Sequence, residues 1–95
     1  MALFNILITP EAAADVSRIN QYLLDNWSER VRDNFIKKLR KSVGVIQTMP
    51  LAYPVSVTKI NLRKCVISPQ TSLFYTIKGD DIVIVSLLDN RMNYK

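Results

Sequence analysis

The sequence predicts an α+β domain with elements in the order β-α-α-β-β-β, a helical hairpin packed on one face of a small, antiparallel-rich sheet. Three observations carry this. The first apolar run alternates with period two, the next two repeat at steps of three and four, and the last three are short and β-rich with turn signals between them. Ninety-five residues suffice for one core and not for two, so residues 1–95 read as a single domain.

Phe4, Ile6 and Ile8 alternate with Asn5, Leu7 and Thr9, which predicts a strand over residues 3–9. Thr9-Pro10-Glu11 then opens a helix: Thr9 suits the N-cap, Pro10 the first helical position, and Glu11 the positive end of the dipole. Ala12, Val16, Ile19, Leu23 and Trp27 share one stripe, so the helix spans 10–26 and Trp27 is expected in the core. Ser28 followed by Glu29 starts a second helix over 28–47, with Val31, Phe35, Leu39, Val43 and Ile46 as its buried stripe. Arg30, Lys37 and Lys41 fall on the opposite, solvated face, while Arg32 falls within the apolar stripe. Pro50 and Pro54 mark a connection. Strands follow over 59–67, 72–78 and 81–88, with turns at Ser68-Pro69-Gln70 and Lys78-Gly79-Asp80, and they form an antiparallel meander. A helical hairpin on one face of this sheet is the economical way to bury both stripes.

Composition excludes several chemistries. The chain contains no histidine and one cysteine, Cys65. Serine–histidine and cysteine–histidine nucleophile pairs, histidine-ligated metals, multi-cysteine zinc sites and an internal disulfide are therefore ruled out. No cofactor is expected. Cys65 reads as a small packing residue. The opening run lacks a basic flank, is too short to span a membrane and is cut by Pro10, so a cytoplasmic protein with no membrane partner is expected. The net charge of +5 is unevenly placed: residues 28–48 carry six bases and two acids, and residues 49–79 carry four bases and no acid. A basic centre of this kind favours an anionic partner, nucleic acid or acidic protein, or is simply a solvated surface.

Several words, in this order, resemble the RelE/ParE family of bacterial toxins from type II toxin–antitoxin (plasmid stabilisation) systems. They are Ile8-Thr9-Pro10-Glu11-Ala12, Ile19 to Leu23, the Ser28, Val31 and Phe35 spacing, Met49-Pro50, Leu62-Arg63-Lys64-Cys65-Val66-Ile67, Leu73-Phe74-Tyr75-Thr76-Ile77, Ile82-Val83-Ile84-Val85-Ser86 and Asp89-Asn90-Arg91. The resemblance covers nearly the whole chain. It implies a growth-inhibiting toxin neutralised by a cognate antitoxin, with self-association left open. Two activities go with it: ParE-like inhibition of a target such as DNA gyrase, and RelE-like ribosome-dependent, metal-independent cleavage of mRNA. The resemblance implies catalytic roles for Arg63, Arg91 and, at a different spacing, Tyr94, if the chain is a nuclease. Cys65 and Ser72 stand where nucleases of the family carry further cations, and the loss of a cation at a developing phosphorane is worth roughly 3–4 kcal/mol. The chain therefore reads as nearer ParE than RelE, with a non-toxic nucleic-acid-binding or structural relative as a third reading.

Arg63, Lys64, Lys78, Asn90 and Arg91 form the expected partner- or anion-binding set. Arg63 and Lys64 occupy opposite faces of one strand, so only one can face solvent fully. Arg63 and Arg91 are expected to lie about 10 Å apart on one surface, two strand spacings from each other, clamping a single anionic group. Both are expected to be exposed, so that alanine at either position leaves stability nearly unchanged.

Overall fold

A computed structural model describes residues 3–92. The elements are β1 (Asn5–Ile8), α1 (Pro10–Asn26), α2 (Glu29–Thr48), β2 (Arg63–Val66), β3 (Thr71–Lys78) and β4 (Asp81–Asp89). The sheet order is β1-β4-β3-β2. β1 runs parallel to β4, and the other pairs are antiparallel. The expected α+β order and the helical hairpin over one face are both present.

Both helices start where the capping residues dictate. Thr9 Oγ1 accepts from the Ala12 N–H at 3.0 Å and donates to the Val85 carbonyl at 2.9 Å, so one hydroxyl caps α1 and ties it to β4. Ser28 Oγ accepts from the Val31 N–H at 3.2 Å and opens α2. Thr9→Ala should lower the unfolding free energy by about 1–2 kcal/mol, read from urea denaturation, because it loses both bonds. A loss below a few tenths of a kcal/mol would show that neither bond matters.

The core joins Ala12, Ile19 and Leu23 of α1, Phe35 and Ile46 of α2, and Cys65, Leu73, Tyr75, Ile82, Ile84 and Leu87 of the sheet. The β3–β4 ladder is interrupted once. Phe74 faces Ser86 but Tyr75 faces Ile84, leaving Val85 as the extra residue of a bulge. The bulge shifts the alternation of β4 by one residue, so Ile82 and Ile84 before it, and Leu87 and Asp89 after it, all face the helices. The displaced backbone is satisfied from α1: Asp15, 5% exposed, accepts the Leu87 N–H at 3.0 Å.

Two expectations need correction. Trp27 is 58% exposed rather than core, because α1 ends at Asn26 and the indole lies beyond the last turn that packs on the sheet. The strand expected over 59–67 is a strand only over Arg63–Val66. Ser56 Oγ accepts from the Thr58 and Lys59 N–H groups, the Ser56 N–H donates to the Leu62 carbonyl, and Asn61 adopts φ 64°, so residues 56–62 close a turn. Arg32, the odd cation of the second stripe, pairs with Asp33 at 2.7 Å.

Candidate functional site

The two sides of the sheet have different chemistry. On the helix side, Arg63 pairs across the ladder with Tyr75, and Cys65 with Leu73. Arg63 Nη1 donates to the Tyr53 carbonyl at 2.6 Å, which fastens the 49–62 connection to β2. Tyr75 donates its hydroxyl to the Pro50 carbonyl at 2.7 Å. Burial pushes the Tyr75 hydroxyl up to about 12, with the nearby Arg63 charge opposing it. Burial also raises the Cys65 thiol, against hydrogen bonds from Tyr53 and Ser42. Tyr53 is raised by burial first and then by its bond to Cys65. Cys65 is thus a buried, protonated thiol, as its place in the core requires.

A folded-state hydroxyl raised above its unfolded value stabilises below the unfolded pKa and loses that contribution as pH climbs through the folded one. Stability should therefore fall between about pH 10 and 12. Tyr75→Phe should flatten part of that fall in urea midpoints taken across the range, with Tyr53 and Cys65 supplying the remainder. An unchanged slope in the variant would remove Tyr75 as a contributor.

On the open side, β2 presents Lys64 and Val66, and β3 presents Ser72, Phe74 and Thr76. Phe74 is only 2% exposed although it lies away from the helices, and Lys59 Nζ sits 5.1 Å from its ring centroid. Lys64 is exposed and Arg63 half-buried, so the strand alternation resolves in favour of Lys64 as the solvent-facing cation.

Arg91 is at the far end of the helix side. Its guanidinium holds both oxygens of Asp89, at 3.0 and 2.7 Å, and its own N–H donates to Asp89 at 2.9 Å. Thr71 donates its hydroxyl to the same carboxylate at 2.6 Å. Tyr22 of α1 donates to the Arg91 carbonyl at 2.6 Å, anchoring the chain after β4. Burial would raise the Asp89 carboxyl, but the bonds from Arg91 and Thr71 outweigh it and hold the group below the usual carboxylate range. Arg91 is correspondingly raised, chiefly by its bond to Asp89.

This geometry corrects the expected clamp. Arg63 stands opposite Tyr75 and Arg91 contacts Thr71 at 3.5 Å, four residues along β3, or about 13 Å of strand before any cross-strand offset. Both guanidiniums are engaged by protein oxygens, and Arg91 is only 19% exposed in its side chain, so neither is the free surface cation expected. Lys78 and Asn90 are exposed, but they sit at opposite ends of β3 and β4, about 23 Å apart by strand rise. Tyr94 lies outside the described residues. Pairing of Arg91 with Asp89, two residues away, is a reading the sequence itself offers, and the structure makes that pair. Thr71, Tyr22 and Tyr53 are the partners that sequence reasoning missed, because nothing local in the sequence marks the carboxylate as buried.

Among the described residues no group of three or more His, Cys, Asp or Glu could hold a metal ion, and no helix is long and apolar enough to cross a membrane. No curated protein matches the sequence. Solved structures share the fold. A chromosomal ParDE TA system from P. aeruginosa aligns with TM-score 0.77 at 16% identity, covering 90% of this chain and 95% of that one. A YoeB/ParE toxin from Agrobacterium tumefaciens aligns with TM-score 0.65 at 10% identity, covering 95% and 99%. The heterotetrameric YoeB-YefM toxin-antitoxin complex from Staphylococcus aureus aligns with TM-score 0.61 at 19% identity, covering 98% and 100%. The family model described as the ParE toxin of type II toxin-antitoxin system, parDE, matches residues 6–94. The chain belongs to this ParE toxin family, within the RelE/ParE toxins of type II toxin–antitoxin systems.

Proposed function

We propose that this toxin acts in the cytoplasm by binding a protein target, DNA gyrase as in ParE-like toxins, and does not cleave RNA. One observation carries the reading: the two arginines that cleavage would use are occupied. Arg63 is turned to the helix side and bonded to the Tyr53 carbonyl, and Arg91 is locked onto buried Asp89. In-line cleavage needs a proton acceptor, a proton donor and cations converging on one phosphate. The open side holds Lys64 beside the hydroxyls of Ser72 and Thr76, with Lys59 over the Phe74 ring and Lys78 at the end of β3, and Phe74 is too buried to stack on a base. The cognate antitoxin is the second proposed partner, as YefM partners YoeB in the S. aureus complex. Its attraction to a chain of net charge +5 should weaken with salt.

The test is induction in bacteria with two readouts, mRNA 5′ ends and gyrase cleavage complexes on plasmid DNA. Growth arrest with accumulated gyrase complexes and unchanged 5′ ends is the expected result. New 5′ ends on translated messages would overturn it in favour of RelE-like cleavage. Ser72→Arg, which restores a cation on the open side, should not create cleavage if the occupied arginines are the reason for its absence.

A further inference from the structure

The second half of α2 is a cationic ridge. Residues 34–48 carry Lys37, Lys38, Arg40 and Lys41 and no acid. All four are exposed, and none belongs to an ion pair among the described residues. At 3.6 residues per turn, Lys37, Lys41 and Gly44 fall within an arc of about 60° on the side away from buried Phe35 and Ile46, with Arg40 on one flank and Lys38 on the other. Two separate clefts leave the helix standing proud between them. One, of about 410 Å³, lies on the α1 side, between Asn20 and the Lys37 and Arg40 flank. The other, of about 310 Å³, lies on the sheet side, between the Lys38 and Lys41 flank and Tyr53. Gly44 is the odd residue of the crest. Glycine inside a helix costs stability relative to alanine, yet a methyl group in its place would touch nothing within 4 Å. Packing therefore does not require this glycine, and its effect is to leave the helix backbone uncovered at the top of the ridge.

We propose that this ridge binds duplex DNA, with α2 in the major groove, Lys37 and Arg40 against the phosphates of one wall, Lys38 and Lys41 against those of the other, and Gly44 admitting the DNA to the helix backbone. The inference goes beyond the reading of a protein target and does not depend on it, because the chain alone should bind the duplex. The cross-sections agree. A helix with its side chains is about 10–12 Å across, and the major groove of B-DNA is about 12 Å wide between two rows of phosphates. Cations on both flanks of a protruding helix match that profile. Glu29 and Asp33 repel phosphates from the first turns of α2, which places the DNA over residues 37–44. A protein partner would want an apolar centre to its contact, and the crest has none. Single-stranded nucleic acid would want exposed rings to stack on, and Phe35, the one aromatic residue of 34–48, is buried. Duplex RNA has a major groove too narrow for side chains to read. Contacts of this kind reach phosphates rather than base edges, so the binding is independent of sequence.

The test titrates the full chain into a fluorescent DNA duplex of about 20 base pairs and follows anisotropy at several salt concentrations. Four phosphate contacts predict that log affinity falls against log salt with a slope of about −3 to −4. Lys37→Glu with Arg40→Glu should weaken binding about tenfold or more and make the slope shallower by about 2, with an unchanged urea midpoint showing that the fold is intact. The same change of charge on the sheet, Lys64→Glu with Lys78→Glu, should weaken it less than about threefold near physiological salt, where distant charges are screened. Gly44→Leu should raise the urea midpoint and yet weaken DNA binding about threefold or more, a pairing that a merely structural glycine would not give. Absence of binding at low salt, equal losses from the two double variants, or undiminished binding by Gly44→Leu would overturn the proposal. So would tighter binding of an RNA duplex or of polyglutamate. Gyrase cleavage complexes in cells are scored separately. Their absence with DNA binding intact removes the gyrase reading and leaves the ridge, and their presence without DNA binding does the reverse.

Discussion

Arg91→Ala should lower the unfolding free energy by about 3–5 kcal/mol, the cost of stranding a buried charge whose partner is removed. Asp89 is 0% exposed, and three of the bonds to its carboxylate come from Arg91, one of them through the backbone. The alanine variant keeps the backbone bond and the Thr71 hydroxyl but loses the cation. Domains of this size have about 5–15 kcal/mol in total, so the variant should be visibly compromised in urea or thermal melts. Arg91→Lys retains charge without the two-pronged geometry and should fall between the two. A loss under about 1 kcal/mol in the alanine variant would mean that the pair contributes little. Activity lost by this variant therefore speaks of folding before it speaks of catalysis.

The same cluster fixes an acid-side pH dependence. A carboxyl held below its ordinary value of 3.8 stabilises the fold above that pH, and the contribution disappears as pH falls through the lowered native value. Stability should drop below about pH 4, and Asp89→Asn should remove that part of the drop. An acid limb identical in the variant would place the titration elsewhere.

Asp15→Ala should cost about 2–3 kcal/mol, because it leaves the Leu87 N–H buried without an acceptor. Asp15 also pairs with Arg18, but that arginine is largely exposed and the pair is worth little by comparison. Asp15→Asn keeps an acceptor oxygen in place and should recover part of the loss. Hydrogen exchange gives the site-specific readout: protection of the Leu87 amide should fall about tenfold or more in the alanine variant. If Arg18→Ala proves as damaging as Asp15→Ala, the ion pair rather than the bulge contact is what matters.

The six elements, their order, both N-caps and the meander of β2, β3 and β4 were legible in the sequence. Period and capping act within a few residues of themselves, so Thr9, Pro10 and Ser28 mark the helix starts whatever the rest of the chain does. The site was less legible because a side chain's neighbours depend on register. Alternation told that Arg63 and Lys64 face opposite ways, but only the pairing of Arg63 with Tyr75 decides which of them faces the helices. The bulge at Val85 then turns Leu87 and Asp89 inward, a shift of one residue that no local pattern announces. From it follow the buried carboxylate, the capture of Arg91 and the loss of the expected two-arginine clamp. Trp27 makes the same point: its spacing fits the apolar stripe, yet α1 ends at Asn26 and the ring is left in solvent. The sequence by itself determined which elements form and which family the chain resembles. Tertiary packing decided which cations are free, because a charge becomes structural or available according to the oxygens that the fold brings to it.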